Sequence, residues 1–141
     1  MPVLITGETG SGKEVVAKAL HEESPRKSEP FLAINCGAIA ESLLQSELFG
    51  HMAGSYTGAV SDHKGIFLEA GKGTVFLDEI GEISQGLQVS LLRVLENNEV
   101  RPVGSSNQVP FHCRVLAATN ANLEQLVASK VFREDLYYRL K

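Results

Sequence analysis

The sequence lacks most features that would take a chain out of the globular class. No stretch approaches the roughly 18 uninterrupted apolar residues that a membrane-spanning helix needs. Met1-Pro2-Val3-Leu4-Ile5 has neither the charged region nor the long apolar core of a secretory leader. Cysteine is scarce: Cys36 and Cys113 stand far apart in no metal-ligand spacing, which argues against a disulfide scaffold and for reduced thiols in a cytoplasmic setting. His21, His51, His63 and His112 show no mutual ligand spacing either. Positive charge is not in excess. The formal net charge is -4 and the pI about 5.6, so there is no overall basic footprint for nucleic acid, and any action on DNA has to run through something else. Internal repeats and low-complexity tracts are missing as well.

What remains is 141 residues, enough for one domain, with 43% hydrophobic and 21% charged residues, as ordinary globular chains have. Short apolar, β-branched runs alternate with helical periodicity. Val3-Leu4-Ile5-Thr6, Phe31-Leu32-Ala33-Ile34, Thr74-Val75-Phe76-Leu77 and residues 115–119 read as buried strands. Residues 13–22, 39–49 and 84–97 read as helices, the last with Ser84 as N-cap and Leu87, Leu91, Val94 and Leu95 along one side. Residues 99–103 and 108–112, split by Gly104-Ser105-Ser106-Asn107, resemble a hairpin, whereas residues 50–63 break the pattern with glycines at 50, 54 and 58. A further helix is expected after Asn120-Ala121-Asn122, with Asn120 as a candidate N-cap, and another at the end of the chain. Alternating strands and helices imply a parallel sheet covered on both faces.

Gly7-Glu8-Thr9-Gly10-Ser11-Gly12-Lys13-Glu14 fits the phosphate-loop pattern G-x-x-x-x-G-K, with Glu14 where a hydroxyl residue usually follows the lysine. Its place between a strand and a helix suits the chemistry. Glycines let backbone N–H groups converge on phosphate oxygens, the helix N-terminus adds a positive dipole, and Lys13 meets the β- and γ-phosphates. Asp78-Glu79 closes the third strand, at the sheet edge where open α/β folds bind ligands. Asp78 is placed to hold Mg²⁺ directly or through water, and Glu79 to orient and deprotonate an attacking water. Asn35, closing the second strand, reads either as a turn residue or as a hydrogen-bond partner of Glu79.

These segments, together with Phe31-Leu32-Ala33-Ile34-Asn35-Cys36, Ser46-Glu47-Leu48-Phe49-Gly50-His51, Thr74-Val75-Phe76-Leu77-Asp78-Glu79-Ile80-Gly81-Glu82 and Phe132-Arg133-Glu134-Asp135-Leu136-Tyr137-Tyr138-Arg139-Leu140, resemble the AAA+ domain of bacterial sigma-54-dependent transcription activators. The resemblance covers essentially the whole chain, in that family's order of motifs. It implies a P-loop NTPase of the AAA+ type, a three-layer α/β/α sandwich with a mainly parallel sheet. Residues 1–141 would be its ATPase core, a fragment of a longer protein without the helical lid, a signal-receiving domain or a DNA-binding domain.

The resemblance also implies ATP and Mg²⁺ as ligands, ATP hydrolysis, assembly into a hexameric or heptameric ring, and sigma-54 RNA polymerase holoenzyme as the partner. DNA would be reached only through a separate domain, and no membrane is involved. Glu14 ceases to be an anomaly, because the family commonly has glutamate there. Gly54-Ser55-Tyr56-Thr57-Gly58-Ala59 resembles the family's Gly-Ala-Phe-Thr-Gly-Ala loop that touches sigma-54, with Ser55 and Tyr56 as departures. Asn35 would hold Glu79 until the partner is engaged, Thr119-Asn120 would sense the γ-phosphate, and Arg133 and Arg139 would be arginine fingers reaching a neighbouring subunit's nucleotide. The departures leave room for an AAA+ regulator acting on a different partner. A nucleotide-gated binding module without turnover is the other alternative, against which Glu79 argues.

Overall fold

The computed structural model describes residues 2–8, 12–55 and 61–141. Four strands, β1 (Val3–Thr6), β2 (Phe31–Asn35), β3 (Thr74–Asp78) and β6 (Arg114–Thr119), form one parallel sheet in the order β1-β6-β3-β2. Their pairing register is Thr6 with Thr119, Leu77 with Ala117 and Asn35 with Asp78. The carboxyl ends of all four strands therefore lie along one edge, which is where the motif residues converge.

Side chains of the central strands are buried on both faces, because alternate residues enter two different cores. Phe76, Leu116 and Ala118 pack with Ala17 of α1 (Lys13–Glu22) on one face. Val75, Leu77, Val115 and Ala117 face a much larger cluster with α2 (Glu41–Phe49), α3 (Ile66–Glu69), α4 (Gln85–Asn97), α5 (Leu123–Ala128) and α6 (Glu134–Leu140). The result is the three-layer α/β/α arrangement expected. Among the described residues, no helix is long and apolar enough to cross a membrane.

Ser84 caps α4, its hydroxyl accepting from Leu87 N–H at 3.2 Å. The cap of α5 is Asn122, whose side chain accepts from Gln125 N–H at 3.2 Å, so the expectation for Asn120 is corrected. Helix α2 starts at Glu41 rather than 39, after an extended Ala40.

The hairpin is far shorter than its sequence suggests: β4 (Glu99–Val100) pairs only with β5 (Val109–Pro110). Pro102 has no N–H to donate, and the backbone of Val103 bonds elsewhere. Val103 N–H donates to Gly50 C=O and Val103 C=O accepts from Met52 N–H, each at 2.9 Å. The loop between β4 and β5 thus becomes part of the neck of the arm at 50–65. His51 and His63 close that neck with reciprocal backbone hydrogen bonds of 2.8 Å. Gly50 and Gly65 flank it with φ of +86° and +83°, so closely apposed that a Cβ on either would strike the main chain of the other limb.

Candidate functional site

Lys13 opens α1, and its side chain is buried, with 8% exposure. Its ammonium donates to Gly7 C=O at 3.0 Å and Glu8 C=O at 2.9 Å. The third donor has no partner among the described residues, and no carboxylate pairs with it there. A buried cation is costly unless a charge or polar cage compensates it, so the site is built for an anion. Gly12, in the left-handed region at φ +83°, leaves open space where a side chain would stand. Gly7 is tied to the sheet by its N–H to Thr119 C=O at 3.3 Å. Glu14 is exposed in the first turn of α1. Thr9, Gly10 and Ser11 lie outside the described residues.

Asp78 and Glu79 stand two strands from β1 along the same edge, both half-buried. Asp78 Oδ1 accepts Glu79 N–H at 2.9 Å. Glu79 occupies the left-handed region, φ 57° and ψ 44°, an uncommon state for a residue with a side chain and one often found at functional sites. A 3-10 turn, Ile80–Glu82, follows at once. The nearby Cys36 thiol is pushed up to about 12, first by burial and then by the charges of Asp78 and Glu79. It is an inert thiol beside two carboxylates rather than a nucleophile.

Asn35 Oδ1 accepts Gly37 N–H at 2.9 Å, the local turn that its position allowed, and a Cβ on Gly37 would come against Glu82, Glu79 and this oxygen. Thr119 is fully buried, its hydroxyl accepting Ala121 N–H at 3.0 Å. Asn120, next in line, is exposed. The edge thus brings together Gly7, Lys13, Asn35, Asp78, Glu79, Thr119 and Asn120.

Arg133 and Arg139 are not on that edge of their own chain in one group. Arg133 is the N-cap of α6, and its guanidinium grips Asp135 with two bonds of 3.0 and 2.8 Å. That fork holds Asp135 below the usual carboxylate range and raises Arg133 further. Arg139 donates to Leu95 C=O at 3.1 Å and lines a cleft of about 720 Å³ with Pro2, Val3, Arg114 and Val115, where β1 and β6 begin. The length of β6 puts that edge, and Arg139 with it, roughly 16 Å from the phosphate loop. Of the arm residues, Gly54 and Ser55 are described; Tyr56, Thr57, Gly58 and Ala59 are not.

Sequence reasoning missed one residue. Gln88 sits on the buried side of α4 with 1% exposure, beside the stripe of Leu87, Leu91, Val94 and Leu95. The signal available was a polar side chain between Leu87 and Leu91.

For a metal, the described residues offer no group of three or more His, Cys, Asp and Glu side chains. Mg²⁺ is usually held by one or two carboxylates plus phosphates rather than by a protein cage, and Asp78 beside an anion cradle fits that pattern.

The family model of the sigma-54 interaction domain matches residues 1–141. The transcriptional regulatory protein GlrR of Escherichia coli K12 is 55% identical over 138 residues, which are 98% of this chain and 31% of GlrR. NtrX of Brucella abortus, solved in complex with ATP, superposes with a TM-score of 0.89 at 35% identity, over 99% of this chain and 30% of that one. An Hsp104 chain, in a closed state with ATPγS and casein, matches in fold alone, with a TM-score of 0.74 at 19% identity over 99% of this chain and 28% of that one. The chain spans about a third of the length of the relatives it matches. With this edge and these matches, the chain belongs to the sigma-54 interaction domain family, the AAA+ central domain of sigma-54-dependent transcription activators.

Proposed function

We propose that this domain binds ATP with Mg²⁺, hydrolyses it, and uses the cycle to drive the 54–59 arm against sigma-54 RNA polymerase at promoters, in the cytoplasm. The observation that carries the reading is the buried Lys13 ammonium, which has two carbonyl partners and no counter-ion among the described residues, on the same sheet edge as Asp78 and Glu79. The backbone of 7–12 would cradle the phosphates and Lys13 the β- and γ-phosphate oxygens. Asp78 would hold Mg²⁺, which neutralises charge on the phosphates. Glu79 would accept the proton of the attacking water as the bond from the γ-phosphorus to the bridging oxygen breaks, leaving ADP and phosphate.

Thr119 and Asn120, at the carboxyl end of β6, would sense the γ-phosphate. Asn35, whose side-chain oxygen holds Gly37 N–H, would change partners with the nucleotide state. Arg133 and Arg139 would act on the nucleotide of a neighbouring copy in a ring of six or seven, the placement of Arg139 away from its own phosphate loop favouring that assignment.

Two measurements on the full-length protein test the reading. Glu79→Ala is expected to retain ATP binding and lose turnover by about 10³-fold; unchanged turnover would remove Glu79 from the chemistry. On native gels, ADP with aluminium fluoride should trap a complex with purified sigma-54 that disappears on Tyr56→Ala. No complex from a protein that still hydrolyses ATP would favour a different partner, the reading that Ser55 and Tyr56 keep open.

A further inference from the structure

The most deeply buried amide of the molecule has no role in the site as described. Gln88 is 1% exposed, between Leu87 and Leu91 on the face of α4 that packs into the main core. A leucine or methionine there would pack as well, and burying a carboxamide is unfavourable unless its polar atoms are bonded. Its bonds therefore say what the amide is for. Nε2 donates to Ile83 C=O at 3.2 Å and to Val131 C=O at 3.0 Å, and Oε1 accepts Arg133 N–H at 2.8 Å.

None of these goes to a neighbouring side chain. All three go to main chain in two junctions that have no regular structure of their own. Ile83 ends the turn that begins at Glu79. Val131 and Arg133 bracket the entry to α6, with Phe132 buried between them at 1% exposure. Gln85, one turn earlier on α4, donates to Lys130 C=O at 3.1 Å and Val131 C=O at 2.6 Å, so the same segment is held twice from one helix.

We infer that Gln88 is a positioning residue that fixes the backbone of Arg133 to the turn following Glu79, so that each copy presents Arg133 to its neighbour in a position set by its own nucleotide site. The inference rests on the proposed action of Arg133 on a neighbouring copy. The link is short: three residues separate Glu79 from Ile83, and one side chain joins Ile83 to the main chain of Arg133. The guanidinium is held by Asp135 alone among the described residues, a pair open to solvent on both sides. Such a pair exchanges readily, so the position of Arg133 is fixed through its backbone, and the backbone is what Gln88 holds. A shift of the turn beside the nucleotide therefore moves the arginine without passing through the sheet.

The test is complementation in full-length rings. Gln88→Met keeps the length of the side chain and removes all three bonds. Alone it should lose at least about tenfold in kcat with an unchanged KM for ATP, because what it disturbs is a charge needed only in the transition state. Glu79→Gln, which keeps bound ATP but loses the proton acceptor, should be inactive alone and retains an intact Lys13, Gln88 and Arg133. Mixed one to one, the two impaired proteins should recover about one quarter of the wild-type rate, since half the chains keep a working site and half of those gain a competent neighbour.

Arg133→Ala mixed with Glu79→Gln should recover likewise. Recovery with Arg133→Ala but not with Gln88→Met would overturn the inference about Gln88 and leave the action of Arg133 standing. No recovery with either would remove the action of Arg133 on its neighbour, and the inference with it. A Gln88→Met ring with the wild-type kcat would also overturn it. Co-assembly is read separately by energy transfer between labelled chains, and Gln88→Leu takes the place of the methionine variant if that one does not co-assemble.

Discussion

The two edges of the sheet are built on opposite terms. At the edge where the strands begin, polar groups find one another. His21 is buried with Nδ1 2.7 Å from Thr74 Oγ1 and Nε2 2.9 Å from Glu29 C=O. Arg26 bonds Lys72 C=O at 2.8 Å and His112 C=O at 2.9 Å, and Thr74 N–H reaches Pro30 C=O at 2.9 Å. At the edge where the strands end, a buried ammonium has no counter-ion among the described residues, Glu79 is held in the left-handed region, and two carboxylates stand half-exposed. One edge is closed by its own bonds, whereas the other is organised around groups that need a ligand to complete them. Apart from Arg139 beside its cleft, stability should therefore be lost by changes at the first edge and function by changes at the second.

The largest effect expected is at the closed edge. A Cβ at Gly73 would overlap Pro30 C=O, which belongs to the main chain and cannot rotate aside. Gly73→Ala should cost about 3 kcal/mol in urea unfolding, with nucleotide affinity little changed in what remains folded. Lys13→Met breaks the comparison from the other side. It should weaken ATP binding by about 100-fold while leaving the melting temperature unchanged or raised, because it removes a buried charge without a counter-ion among the described residues. A fall in stability comparable to that of Gly73→Ala would mean that the open edge is also structural.

His21→Leu comes next, at about 2 kcal/mol, since it strands Thr74 Oγ1 and Glu29 C=O. Its catalytic rate per folded molecule should equal that of the wild type. The smallest effect concerns Cys113, whose thiol burial pushes up to about 11 from 9.0. The folded chain keeps this proton where the unfolded chain loses it, so stability is complete below pH 9 and declines as the pH rises toward 11. The urea midpoint of the wild type should fall more steeply over that range than that of Cys113→Ala.

The sheet was legible in the sequence because buried parallel strands are short apolar runs, and Val3–Thr6 and Lys13–Glu22 fall where the pattern places them. Asp78 and Glu79 were legible because a polar pair ends such a run. Helix α3 was not, since Ile66–Glu69 is a single turn, too short to show a period. The hairpin was overestimated because periodicity does not reveal that Val103 bonds Gly50 and Met52 instead of a strand partner. Gln88 escaped for a related reason: its value lies in three main-chain atoms, two of them more than 40 residues away, and nothing local marks them.

The pinched neck of the arm has a consequence for how such a protein changes over time. Where two limbs of chain meet through Gly50 and Gly65 and lock by reciprocal bonds between His51 and His63, the core ends at the lock. Just beyond it, Met52, Ala53 and Gly54 are exposed. Changes at these three positions leave the buried clusters of the described residues untouched, so they can follow a partner while the nucleotide site stays as it is. The two glycines mark the border between the part of the sequence that answers to folding and the part that answers to the partner.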